Sequence, residues 1–195
     1  GWQVLDSGSL YRIVALAARR AGVALNDEAG VAAIAAALPA RFEAGRVWLG
    51  NDDVTTDIRS EACSVGASQV AVLPAVRDAL LGRQRDYRAR PGLVADGRDM
   101  GSVVFPDAGL KIFLTASAEA RAQRRHKQLM EKGLPANIQS LLDDLRERDA
   151  RDAARAVAPL MKLPDAALLD TTELDIESAV AFVVDLVRDR GLAAG

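Results

Sequence analysis

Cysteine and histidine are nearly absent from this chain of 195 residues, where Cys63 and His126 stand alone. Neither a disulfide framework nor a Cys/His zinc centre can be assembled from single copies, and the scarcity of cysteine fits a reducing, cytoplasmic setting. No apolar run approaches the ~18 residues that cross a bilayer, so no membrane association is expected. Net positive charge is missing too. With 25 basic against 27 acidic residues and a net charge of −2, there is no broad field for nucleic-acid phosphates, and any anion site must be local. Lysine is scarce, at positions 111, 127, 132 and 162 only, so 21 of the basic residues are arginines. Their planar forks suit two-point contacts to phosphate or carboxylate, although codon bias in a GC-rich genome produces the same excess. The pattern G-x-x-x-x-G-K-[ST], whose backbone cradles nucleotide phosphates, does not occur. The first residue is glycine rather than methionine, with no charged and apolar leader behind it.

What is present is a globular composition: half the residues are hydrophobic, 27% are charged and mean hydropathy is +0.04. The length suits one domain that buries roughly 70% of its unfolded surface. "GWQVLD" ends as a strand, and Asp6 or Ser7 can cap a helix through "SLYRIVALAARRAG", with Leu10, Ile13, Val14 and Ala17 on one face and Gly22 as the stop. A second helix runs from an Asn26 cap through "DEAGVAAIAAAL" and ends before Pro39. "ARFEAGRVWLGNDDV" alternates apolar and polar residues about Gly45 and suggests a small antiparallel meander. Two more helices are predicted over 58–72 and 74–89. "GLVADG" and "LKIFLTA" are short apolar runs of the kind found in parallel strands buried on both faces. Helices over 117–131 and 137–154, a strand over 166–170 and an amphipathic helix over 175–190 complete the chain. Strands alternating with helices predict an α/β fold with a parallel sheet.

Ligands in such folds bind where strands end, which directs attention to three stretches. "DSGSLYR", residues 6–12, sets small residues at a helix N-terminus whose N–H groups favour an anion, with Tyr11 and Arg12 one turn on; Asp-Ser-Gly is also an ordinary helix cap. "DGRDMG", residues 96–101, flanks Arg98 with Asp96 and Asp99 at a strand end. A carboxylate there can hold the hydration shell of magnesium, or simply make a capped turn with a surface ion pair. "RERDARDAARAVAPL", residues 146–160, interleaves four arginines with carboxylates before turning apolar. Arg148, Arg151 and Arg155 are spaced to share one helical face, with Asp152 four residues after Arg148. A helix face laced with exposed ion pairs explains this composition, but Arg151 and Arg155 at i,i+4 repel one another unless an anion lies between them.

Taken in order, "LDSGSLYR", "ASQVAVLPAVRDALLGRQRDY", "LVADGRDMGSVVFPDAGLKIFLTAS", "ERDARDAARAVAPL" and "LLDTT" resemble the bacterial cytidylate kinases, a family of nucleoside-monophosphate kinases. The likeness runs nearly end to end. "DGRDMGSVVFPDA" and "ERDxRDxxRAVAPL" carry its specificity; the DSG stretch alone does not. The resemblance implies a P-loop kinase fold, a three-layer parallel sheet with helices on both faces, that transfers the γ-phosphoryl of ATP to CMP or dCMP with magnesium. It implies that Ser7, Arg12 and Arg98 hold the CMP phosphate, with Tyr11 near the sugar, and that Ser68, Arg77 and Asp99 read the cytosine edge. Arg148 and Arg155 would reach phosphates from a lid over about 146–158, with Asp152 on a sugar hydroxyl, leaving Arg146, Asp149 and Arg151 as ion-paired surface. Arg121 and Arg125 are candidates to face ATP, Asp96 is the magnesium candidate, and Asp170–Thr172 are candidates to border the adenine. The stretch from about 23 to 91 matches the family's nucleotide-binding insert.

The missing phosphate-loop motif lies, in that family, between the first strand and first helix, ahead of the residue numbered 1 here. The expectation is therefore a single, N-terminally truncated, monomeric kinase domain, inactive alone and with unpaired strand edges. Two other readings stay open: a non-catalytic CMP-binding protein that has lost its ATP site, and another small-molecule kinase of the P-loop class.

Overall fold

The computed structural model describes residues 1–43, 45–131, 133–154 and 160–192. The chain separates into two compact units, the first Gly1–Val104 and the second beginning at Phe105.

In the first unit β1 (Gln3–Asp6) leads directly into α1 (Ser7–Arg20). Asp6 is the cap, its carboxylate accepting from the Ser9 amide at 3.0 Å and the Ser9 hydroxyl at 2.6 Å. The apolar face of α1 is the centre of the unit: Leu10, Ile13, Val14 and Ala18 are fully buried. The stripe thus turns to Ala18, with Ala17 only partly covered. α2 (Glu28–Ala36) is capped by Asp27, not Asn26, because the Asp27 carboxylate accepts from the Gly30 amide at 3.1 Å. The meander follows as β2 (Ala40–Glu43), β3 (Arg46–Leu49) and β4 (Asp52–Asp53), all antiparallel. Its reversals use Gly45 and Gly50, at φ of 75° and 62°, a region that side chains with a Cβ avoid.

α3 (Glu61–Val70) begins after a single 3-10 turn at Asp57–Arg59, later than the predicted start at 58, because Ser60 caps the Cys63 amide. α4 (Pro74–Arg85) opens on proline, whose missing N–H has no role in a first turn. α1 packs on α3, and α2 on α4. Arg83 locks α4 to the start of the meander by donating to the Leu38 and Ala40 carbonyls at 2.5 and 2.6 Å. β5 (Leu93–Asp96) then pairs in parallel with β1, Asp6 opposite Asp96, and ends near a π-type turn at Met100–Val104.

In the second unit β6 (Ile112–Thr115) and β7 (Ala167–Asp170) pair in parallel, Thr115 opposite Asp170. Between them α5 (Ala118–Glu131) packs on α6 (Ile138–Ala153), which Asn137 caps. α7 (Ile176–Asp189), capped by Asp175, follows β7.

The α/β character and the parallel pairing agree with the sequence reading. The expectation of strands buried on both faces does not hold among the described residues. Val4 and Val94, partners in register, are 69% and 55% exposed, while Leu5 between them and α1 is buried. Leu114 and Leu168 are also open to solvent. Apart from the antiparallel meander, the described strands form two two-stranded parallel sheets rather than one wide sheet, and ribbons so narrow offer too little area for layers of helix on both sides.

Candidate nucleotide site

The parallel pairing of β1 and β5 brings "DSGSLYR" and "DGRDMG" to the same end of one sheet. Ser7, the first residue of α1, is buried there. A Cβ added to Gly97 would fall inside 3.0 Å of both the Ser7 hydroxyl and the Met100 side chain, so glycine is what lets the two loops meet. Tyr11 is buried one turn along α1. Arg12 beside it is held by the Ile58 carbonyl at 3.1 Å and by the Ser64 hydroxyl at 3.4 Å. Neither Ile58 nor Ser64 carried a signal in the sequence, because their role depends on how the 3-10 turn and α3 approach α1.

Arg77 on α4 and Asp99 form an ion pair with side chains only 8% and 7% exposed. Arg77 also donates to the Ala71 carbonyl at 3.3 Å. The Asp99 carbonyl accepts from the amides of Val103 and Val104 at 2.9 and 3.3 Å and so starts the π-type turn. Arg85, two turns along α4, holds the same turn by the Val103 and Val104 carbonyls, both at 3.2 Å. Wide turns of this kind concentrate at functional sites. Two arginines of one helix therefore fix the loop that carries Arg98 and Asp99. Ser68, on α3, is buried. Arg98 and Asp96 are exposed.

Among the described residues no group of three or more His, Cys, Asp or Glu could hold a metal ion. Magnesium takes one or two carboxylates and keeps its waters. The exposed carboxylate of Asp96, next to the capping carboxylate of Asp6, fits that donor set and not an all-protein cage.

In the second unit Arg121 and Arg125 stand on α5, and Arg148 and Asp152 on α6. Asp152 is fully buried, and its carbonyl accepts from the Leu160 amide at 3.2 Å. Arg125 and Arg148 are half-buried. Arg155 lies outside the described residues. Arg151 pairs with Glu147 within α6, as expected for surface. Arg146 and Asp149 are ion-paired as well, and their partners lie across on α5, Glu119 and Arg121 respectively. Arg124, which the sequence reading passed over, donates to the Thr171 hydroxyl at 3.2 Å, the Leu174 carbonyl at 3.3 Å and the Thr171 carbonyl, and so fixes the loop after β7. Asp170 stays ionised below its usual range because the Thr172 hydroxyl and then its amide donate to it. No described helix is long and apolar enough to cross a membrane.

An α/β scaffold with parallel strands, small residues at one strand-end site and arginine-rich helices is the outline of a nucleotide phosphotransferase. The cytidylate kinase family profile matches residues 1–189. A cytidylate kinase of Chromobacterium violaceum is 62% identical over 186 residues, covering 95% of this chain and 84% of that protein. Relatives of the same name in Bordetella bronchiseptica and Pseudomonas paraeruginosa are 58% and 54% identical, covering 96% and 98% of this chain and 84% and 86% of their own lengths. The chain belongs to the cytidylate kinase family and is an enzyme of the phosphotransferase class.

Proposed function

We propose that the protein phosphorylates CMP or dCMP with ATP and magnesium, giving CDP or dCDP and ADP, as a monomeric single-domain kinase. The buried Arg77–Asp99 pair beside the Ser7–Gly97 junction carries this reading. Cytosine presents an exocyclic amine donor next to ring acceptors, and uracil reverses part of that pattern. A carboxylate and a guanidinium fixed against each other, with the Ser68 hydroxyl on α3, suit the cytosine pattern and leave groups unpaired against uracil. Ser7, Arg12 and Arg98 bind the acceptor phosphate, and Tyr11 covers the sugar.

In the transfer a CMP phosphate oxygen forms a bond to the γ-phosphorus as the bond to the β,γ-bridging oxygen breaks, and ADP leaves with that electron pair. Such chemistry needs alignment and charge neutralisation more than covalent help. Arg148 and Arg155 supply positive charge to the transferring group, Asp152 accepts from a sugar hydroxyl, and Arg121 and Arg125 are the residues that the resemblance would set on the ATP side. Asp96 would hold the hydration shell of magnesium, which would supply positive charge to the ATP phosphates.

Activity also requires a phosphate cradle, and the 195 residues contain no G-x-x-x-x-G-K-[ST]. We therefore propose that this chain alone does not turn over. The exposed Val4, Val94, Leu114 and Ile176 support a need for further covering chain. The rival reading is a protein that binds CMP without phosphorylating it.

A phosphotransfer assay with CMP, UMP and AMP, run with and without a fused strand and G-x-x-x-x-G-K-[ST] loop, decides. Turnover of CMP only with the added segment is expected. CMP binding without turnover in either form supports the rival, and a preference for UMP or AMP overturns the substrate.

A further inference from the structure

Asp149, expected as ion-paired surface, receives both ends of a guanidinium fork. Arg121 Nη1 donates to Asp149 Oδ1 at 3.0 Å, Nη2 bonds Oδ2, and Nε donates to the Ala116 carbonyl at 3.2 Å. Each nitrogen of Arg121 is thus engaged by protein. A two-point pair fixes angle as well as distance, and the carbonyl anchors the arginine to the strand-to-helix corner after β6. Arg146 adds a second crossing to Glu119 at 2.7 Å. Glu119 is held ionised below its usual range, first by a backbone amide at the start of α5 and then by Arg146. Two crossings nearly one helical turn apart on α6 stop that helix from rolling on α5.

Rolling matters because of what lies beside Asp149. At about 100° per residue, Arg148 projects about 100° to one side of it and Asp152 about 60° to the same side. The residues assigned to nucleotide therefore share a stripe next to the clamped line, and the clamp sets where that stripe points.

We infer that Arg121 and Asp149 form a positioning pair that fixes the rotation of α6, so that Arg121 serves nucleotide binding through Arg148 and Asp152 and not by contacting ATP. This rests on the reading of α6 as a nucleotide-binding lid helix. It differs from the resemblance, under which Arg121 faces ATP. An arginine that met triphosphate would first have to release both Asp149 oxygens and the Ala116 carbonyl.

The test is calorimetric titration of the whole chain with CMP and, separately, with magnesium ATP. Wild type is compared with Arg121→Gln, Asp149→Asn, their double variant and the charge swap Arg121→Asp with Asp149→Arg. Each single variant should weaken CMP binding about three- to tenfold, and the double variant no further than the weaker single. The charge swap should recover at least half of the loss, which a merely destabilised helix would not do. Arg121→Gln that weakens magnesium ATP binding while leaving CMP binding unchanged overturns the proposal. So does a double variant whose loss is the product of the two singles. A wild-type chain that binds no CMP overturns the nucleotide reading on which the pair's role rests, whereas normal wild-type binding with indifferent variants overturns the pair alone.

Discussion

The first unit buries one of its arginine–carboxylate pairs, whereas those of the second lie at partly open or exposed helix positions. Arg77–Asp99 is almost wholly shielded, the Arg121–Asp149 side chains are 30% and 38% exposed, and Arg188–Asp185 on α7 is 69% and 68% exposed. The chemistry is the same in all three. Water competes for the charges in the last, screens them in the second and is nearly excluded from the first, so energy and function separate along that series. The buried pair ties a loop to α4, the half-buried pair ties α6 to α5, and an exposed pair does little.

Breaking the innermost pair should have the largest effect. Asp99→Asn leaves the Arg77 guanidinium buried without a counter-charge, so we expect a loss of about 3–5 kcal/mol in chemical denaturation. Preference for CMP over UMP should erode with it, and a retained ratio would remove Asp99 from base recognition. Gly97→Ala comes next, because the new methyl must displace the Ser7 hydroxyl and Met100; about 1–3 kcal/mol of stability and weaker CMP binding are expected. Unchanged CMP titration would show that the loop contact is incidental.

For the lid, Arg155→Ala in a chain supplied with the phosphate loop should lower kcat more than about tenfold with the circular dichroism spectrum unchanged. Full turnover would remove its role. Acid should loosen the second unit gradually. Glu119, Asp165, Asp170 and Asp175 all have carboxyls held below their usual range by hydrogen bonds in the folded state. Their contribution is complete above the ordinary carboxylate range and fades as pH falls below about 4. Thermal unfolding followed from pH 6 downward should show Tm falling in that window, and a flat profile would contradict the assignment. At the bottom of the series, Arg188→Ala should leave Tm unchanged.

Much of the architecture was legible because it rests on local rules. Asp6, Ser60, Asn137 and Asp175 each cap the helix that follows, and the strands over 93–96 and 112–115 fall where short apolar runs end in aspartate or threonine. The Asn26 cap failed because Asn26 and Asp27 are equally good cap residues in sequence, and only the backbone selects between them. Burial of both strand faces failed for a different reason. An apolar run is needed for a doubly covered strand, but whether covering elements exist is decided elsewhere in the chain.

The candidate site divides in the same way. Ser7, Tyr11, Arg12, Arg98 and Asp99 stand out in the sequence as candidates because strand ends and helix starts mark them locally. Ile58, Ser64, Arg85 and Arg124 do not, since each acts on a partner distant in sequence, 46 residues away for Ile58 and Arg12. For Asp149 an ion pair was legible but its partner was not: helical spacing shows which residues share a face, not what that face meets.

The sequence by itself determined the element order, the parallel α/β character and the family, all properties of short segments or of motifs kept in order. Tertiary structure alone decided which arginine meets which carboxylate and how much water reaches them. That choice rests on distance and dielectric between segments far apart in the chain, as for Arg77 with Asp99 and Arg121 with Asp149.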